Sequence, residues 1–193
     1  MGNGVFPGRF WRRLLGLIDA ELDEDTAMVV IGGAAIALKY ANRYLTRDLD
    51  TATSLEGKLA AAAKRAQRAL QVEDGLSVPP PIGAAGVYDA PEGFEERCMR
   101  VQIRGLRHLR VYVPERHDLA LMKVSRGDER DLVALEAMHR RQSFRLKTLV
   151  ERYDEMQFTG PPRQLLSRFL LLVARLFGDR QAERLAPRLK LHL

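Results

Sequence analysis

The sequence predicts an α+β fold: a small mixed sheet flanked by helices and followed by a helical C-terminal region. Three observations predict it. An apolar run at residues 28–31 ends on a double glycine and a helix-like stretch, which reads as strand, tight turn and helix. Apolar and polar residues alternate at 101–104 and again at 109–113 on either side of Gly105, the pattern of an antiparallel hairpin. From His117 onward the apolar positions recur at helical spacing. A chain of 193 residues, 46% hydrophobic and 29% charged, can bury a full core, and no second large domain fits. The expected division is one domain at 1–135 and a helical region at 136–193 packed on it.

Taken in order, Phe10-Trp11-Arg12-Arg13-Leu14-Leu15-Gly16-Leu17-Ile18 reads as an amphipathic first helix with Phe10, Leu14, Leu17 and Ile18 on its apolar face. Residues 28–31 form a buried strand, 34–41 a helix packed on it, and 46–53 a second strand. Residues 55–71 read as an alanine-rich helix with Lys58, Lys64, Arg65 and Arg68 on one face, either a solvated surface or a nucleic-acid patch. Asp74-Gly75 and Pro79-Pro80-Pro81 break the periodicity, so 74–91 reads as a long irregular loop of the sort that borders sites. The hairpin extends the sheet. Helices then follow at roughly 117–125, 128–141, 143–156, 163–177 and 179–187, punctuated by Gly127, Pro161, Pro162 and Gly178. In the tail, Leu165, Leu166, Phe169, Leu172, Val173, Leu176 and Phe177 make a broad apolar face that suits core packing, a partner helix or a homodimer interface.

Composition narrows the chemistry. Thirty-one Lys and Arg against 25 Asp and Glu leave a net charge of +6, which favours polyanionic partners such as RNA or nucleotides. The single cysteine, Cys98, excludes an intramolecular disulfide framework and a cysteine-based zinc site, and a reducing cytoplasm is the expected compartment. The start Met1-Gly2-Asn3-Gly4-Val5-Phe6 is similar to a myristoylation site except that Phe6 stands where Ser or Thr is required. No apolar stretch approaches the roughly 20 residues of a membrane span, so no membrane partner is expected. The four histidines have no metal-ligand spacing, and the chain lacks a nucleophile elbow, a P-loop and a dinucleotide fingerprint.

The candidate chemistry lies in Gly32-Gly33 and, fourteen residues on, Asp48-Leu49-Asp50. Alternate residues of a strand share a face, so Asp48 and Asp50 point together while Leu49 points inward. Two converging carboxylates repel unless a cation neutralises them, and oxygen ligands suit Mg²⁺, with Mn²⁺ as a substitute. This arrangement resembles the metal-binding core of a minimal nucleotidyltransferase. The stretch His117-Asp118-Leu119-Ala120-Leu121-Met122-Lys123-Val124-Ser125-Arg126-Gly127-Asp128-Glu129-Arg130-Asp131 resembles the second signature of the bacterial nucleotidyltransferase-like family related to the AbiEii abortive-infection toxins. In that signature a helix carries a lysine, and a Lys-x-x-Arg-Gly turn leads to an aspartate. Arg43-Tyr44-Leu45-Thr46-Arg47-Asp48-Leu49-Asp50, Val87-Tyr88-Asp89-Ala90-Pro91-Glu92-Gly93-Phe94-Glu95-Glu96-Arg97 and Leu109-Arg110-Val111-Tyr112-Val113-Pro114 are similar to the family as well.

The resemblance implies a DNA polymerase β-like fold and transfer of a nucleoside monophosphate from an NTP to a hydroxyl. RNA such as tRNA, a protein or a small molecule would be the acceptor, and a cognate antitoxin a partner. Asp48 and Asp50 would hold the metal, and the backbone at Gly32 and Gly33, opening a helix, would receive phosphate oxygens. Lys123, assisted by Arg126 or Arg47, would neutralise the triphosphate. Active members carry a third carboxylate; Asp131 is the first candidate and Asp89 the second, while Ala134 stands where related sequences often place a further acid. The alternative is a catalytically silent nucleotide-binding or regulatory module of the same fold.

Overall fold

In the computed structural model of the chain, the residues 4–86 and 88–190 are described. Met1, Gly2 and Asn3 of the N-terminal motif, Val87 of the 87–97 stretch and His192 lie outside the described residues. The helices are α1 (Gly8–Ala20), α2 (Gly32–Ala35, continued by a π-helical turn Ile36–Tyr40), α3 (Gly57–Glu73), α4 (Arg116–Arg126), α5 (Glu129–Arg141), α6 (Leu146–Asp154), α7 (Pro162–Phe177) and α8 (Asp179–Lys190). The strands are β1 (Thr26–Ile31), β2 (Leu49–Thr51), β3 (Ile82–Ala84), β4 (Ala90–Pro91), β5 (Met99–Arg100), β6 (Leu109–Val113) and β7 (Met156–Gln157). Contacts divide the chain into two units: Met1–Gly86 with Cys98–Pro114, and Val87–Arg97 with Glu115–Leu193.

The first unit holds a mixed five-stranded sheet in the order β3-β2-β1-β6-β5. β1 is its middle strand, pairing antiparallel to β2 and parallel to β6, and Met28, Val30 and Ile31 are buried. Two threonines fix the β1–β2 register: Thr51 Oγ1 donates to Val29 O at 2.8 Å, and Val29 N donates to Thr53 Oγ1 at 2.8 Å. Consequently Ile31 lies opposite Asp50 and Val30 opposite Thr51. A slip of one residue would turn Leu49 out and the aspartates in, which the burial of Leu49 forbids.

α1 packs through Trp11, Leu14, Leu15 and Ile18, all fully buried, each contributing about 2 kcal/mol by area removed from water. Phe10 and Leu17 are only half-buried, so the inward face is rotated toward Trp11 and Leu15 relative to the expected one. At its end Asp19, buried, accepts hydrogen bonds from the backbone N–H groups of Arg107 (3.0 Å), His108 (2.7 Å) and Leu109 (2.6 Å), fastening β6 to the helix. The exposed face of α3 is partly neutralised, since Lys58 pairs with Asp23 and Arg65 with Glu21.

The second unit is helical around one antiparallel pair, β4 with β7. Glu115 caps α4 by accepting from His117 N, Gly127 ends it with φ of +71°, and Asp128 caps α5 by accepting from Arg130 N. Leu119, Leu121, Leu135, Leu149, Phe169, Leu172 and Val173 form the core, with Tyr153 stacked on Phe169 at 4.5 Å. Leu165, Leu166, Phe169, Leu172 and Val173 of the α7 face are buried inside this unit, while Leu176 and Phe177 are half-buried. Asp118, fully buried, receives a bidentate contact from Arg97 at 2.9 Å on both oxygens. The link between α5 and α6 is held by two imidazoles, His139 Nδ1 accepting from Phe144 N (3.1 Å) and His117 Nε2 from Arg145 N (3.0 Å).

The expected elements shift where side chains compete with the ladder. The second strand covers only 49–51, because the 46 position pairs instead with Phe6 in an isolated bridge and the chain bends at Arg47. The loop at 74–91 contributes two short strands, β3 and β4, to two different sheets. The hairpin partner of β6 is 99–100 rather than 101–104; Val101 N still reaches Val111 O at 2.8 Å, and the chain then leaves the ladder for a turn at Arg104 and Gly105. α6 is shorter than 143–156 because residues 156–157 leave the helix to pair with β4.

Asp19 sets a test of this frame. Burial pushes its carboxyl up, but the three backbone N–H donors outweigh that and hold it below the ordinary carboxylate range. A carboxyl depressed on folding contributes stability above the unfolded pKa of about 4 and loses it as pH falls through the folded value. Asp19→Ala is expected to lower unfolding free energy by about 2 kcal/mol at pH 7. Urea melts from pH 7 to pH 3 should show the gap between parent and variant closing at the acid end.

Candidate functional site

The glycine pair stands where the chain leaves β1 and must pass close to the segment that carries the aspartates. Gly32 has φ of +65°, and a Cβ there would sit 3.0 Å from Asp50 Oδ2. A Cβ on Gly33 would overlap Thr46 Oγ1 and Cβ, with Tyr44 Cε1 3.4 Å away. Gly33 is therefore required by contact, and Gly32 by its left-handed backbone. Thr46 Oγ1 in turn donates to Asp48 Oδ1 at 3.2 Å. Gly32, Gly33, Thr46, Asp48 and Asp50 thus come together at one end of the sheet. Asp48, just before β2, is exposed, Asp50 is half-buried and Leu49 fully buried, in keeping with the alternation of side chains along extended backbone. Arg47 is exposed between Thr46 and Asp48.

The residues named in the helical unit form a second cluster. Lys123, 3% exposed, places Nζ 2.5 Å from Asp131 Oδ1. Arg126 adds a bidentate contact, Nε to Oδ2 at 3.0 Å and Nη2 to Oδ1 at 2.9 Å. Burial pulls the Lys123 ammonium below its ordinary range, against the upward pull of Asp131. Asp89 is engaged elsewhere in the same unit, its Oδ1 accepting from Thr159 N (2.9 Å) and Thr159 Oγ1 (3.0 Å). Among the described residues no group of three or more His, Cys, Asp or Glu is placed to hold a metal ion. The donor set at Asp48 and Asp50 fits a different requirement: Mg²⁺ keeps several waters and takes one or two carboxylates together with substrate phosphates.

Sequence reasoning passed over Phe6. Its backbone pairs with Thr46 in both directions, Phe6 N to Thr46 O at 2.7 Å and Thr46 N to Phe6 O at 3.1 Å, which sets its ring beside the Asp48 segment. An aromatic residue just before the first helix was the available signal, but nothing local tells which strand it will meet.

The mixed five-stranded sheet with flanking helices, its glycine turn set against the segment that carries Asp48 and Asp50, places the chain in the α+β class. Within that class, residues 13–164 match the family described as nucleotidyltransferase of unknown function (DUF6036), and the chain belongs to that family. Membership implies a nucleoside triphosphate as substrate. No curated protein and no solved structure matches the chain. Among the described residues no helix is long and apolar enough to cross a membrane.

Two variants probe the geometry. Gly33→Ala should cost about 2 kcal/mol through overlap with Thr46, and adding Thr46→Ala should recover part of it; thermal melts of the two singles and the double give the coupling. Lys123→Ala, which strands a buried carboxylate on Arg126 alone, should cost about 3 kcal/mol. Chemical denaturation reads that value, and a loss under about 0.5 kcal/mol would show that the pair carries no structural weight.

Proposed function

We propose that the chain is a Mg²⁺-dependent nucleotidyltransferase that moves a nucleoside monophosphate from an NTP to an acceptor hydroxyl. The observation that carries this reading is the convergence of Gly32, Gly33, Thr46, Asp48 and Asp50 in the first unit, in a chain of this family. Asp48 and Asp50 would hold the metal, which when bound supplies positive charge to the triphosphate. Thr46 holds Asp48 in its rotamer, and the two glycines let Asp50 and Thr46 close on the turn, whose backbone N–H groups would receive phosphate oxygens. Arg47 is the cation of this unit nearest in sequence to the pair and would share the phosphate charge. In the reaction the acceptor oxygen bonds to the α-phosphorus, the bond to the α–β bridging oxygen breaks, pyrophosphate departs and the hydroxyl proton passes to water.

The acceptor is proposed to be RNA such as tRNA, or a protein hydroxyl, in keeping with the net charge of +6. The likeness to AbiEii toxins makes a cytoplasmic toxin with a cognate antitoxin the biological setting of this proposal. A second reading has an observation of its own. Asp131 is occupied by Lys123 and Arg126 and Asp89 by Thr159, so both candidate third acids already have structural partners. That favours a module which binds NTP without turning it over, with Lys123 and Arg126 serving the fold.

Mg²⁺ or Mn²⁺ should raise the melting temperature of the parent, because a ligand that binds only the native state stabilises it by mass action. Asp48→Asn combined with Asp50→Asn should abolish the shift, and an undiminished shift would refute the site. Incubation with each α-labelled NTP, Mg²⁺ and total RNA then separates the readings: labelled RNA or labelled protein supports transfer, whereas NTP binding with no label supports the binding module.

A further inference from the structure

Beside Asp48 lies a cavity of about 440 Å³, formed wholly within the first unit. Its walls are Phe6, Leu76, Val78 and Pro79, Pro80 and Pro81, with Arg47 and Asp48 at one side. We propose that this cavity receives the base of the incoming NTP, an assignment that rests on the triphosphate being held at Asp48 and Asp50.

Four observations carry it. First, the cavity shares Asp48 and Arg47 with the proposed phosphate site, so its occupant must be continuous with the phosphates or react with them. Second, away from Arg47, Asp48 and Ser77 the lining is mostly apolar, with one aromatic ring, three pyrrolidine rings and two branched aliphatic side chains, surfaces that suit a planar heterocycle by stacking and by burial. Third, the platform is braced. Phe6 stacks on Phe10 at 3.9 Å with 13° between the rings and meets fully buried Trp11 edge-on at 5.6 Å, while its backbone is pinned to Thr46. Fourth, the opposite wall is also held. Leu49 N donates to Pro81 O at 3.0 Å and Gln67 Nε2 to Pro80 O at 2.7 Å, tying the proline run to the strand that carries Asp50 and to α3. A volume of this size suits one nucleoside, within the range of small-molecule pockets, and not a folded macromolecule.

The test compares two probes on the full chain with Mg²⁺: each of the four NTPs, and inorganic tripolyphosphate, which has the phosphates without the base. Calorimetry on the parent should show the preferred NTP binding at least tenfold more tightly than tripolyphosphate. Phe6→Ala should remove about tenfold of that preference while leaving tripolyphosphate affinity unchanged, the loss expected when a base-stacking aromatic is truncated. Val78→Gln, at a position 58% exposed and therefore safe for folding, should lower the NTP preference two- to threefold without altering the melting temperature. Equal affinity of parent for NTP and tripolyphosphate would overturn the assignment while leaving the metal site standing, provided Asp48→Asn with Asp50→Asn abolishes tripolyphosphate binding. An unchanged preference in both variants would also overturn it, and if their use of a labelled acceptor fell instead, the cavity would belong to the acceptor. Failure of both probes to bind the parent would remove the phosphate site and this assignment together.

Discussion

The first unit depends on one close approach, that of the Gly32-Gly33 turn to the chain segment 46–50. The turn can pass only because neither residue carries a Cβ: one would press on Asp50 and the other on Thr46. The same approach sets the register of β2 against β1, since Asp50 stands opposite Ile31, the residue immediately before the turn. Thr51 and Thr53 lock that register from the far side through their bonds to Val29. Packing and chemistry are therefore not separate here. The contact that seats the sheet is the contact that lines up Thr46, Asp48 and Asp50.

The second unit is organised by buried charge instead. Asp118, Lys123 and Asp131 are removed from water: Lys123 and Asp131 satisfy each other, Arg126 reaches Asp131 from the exposed side, and half-buried Arg97 pairs with Asp118. Such pairs add little net stability compared with apolar residues of equal volume, yet losing one member is costly because the other is left unpaired. They act as constraints on which helix meets which. The Lys123 to Asp131 pair spans the Gly127 turn and holds the end of α4 to the start of α5.

These two modes explain where sequence patterns read clearly and where they did not. The expected α+β class, the helices from His117 onward and the apolar core of α7 follow from local periodicity, which depends only on near neighbours in the chain. Partner choice over long range does not. Nothing in 101–104 distinguishes it from 99–100 as the partner of β6; the long-range register that sets Met99 opposite Val113 and Arg100 opposite Tyr112 decides it. Lys123 reads equally well as a surface cation or a phosphate ligand until α5 brings Asp131 against it.

By itself the sequence determined the class of fold, the glycine turn after β1, and the burial of Leu49 between two more exposed aspartates. Those are consequences of covalent geometry and of a two-residue period, which no later event can alter. Only the tertiary structure decided that Thr46 pairs with Phe6, that β1 runs parallel to β6, and that Asp131 and Asp89 are engaged by Lys123 and Thr159. The reason is that each of those partners lies in a different element. Which of several chemically acceptable partners is taken is settled by burial and by satisfaction of every backbone and charged group at once, a competition that a linear pattern does not contain.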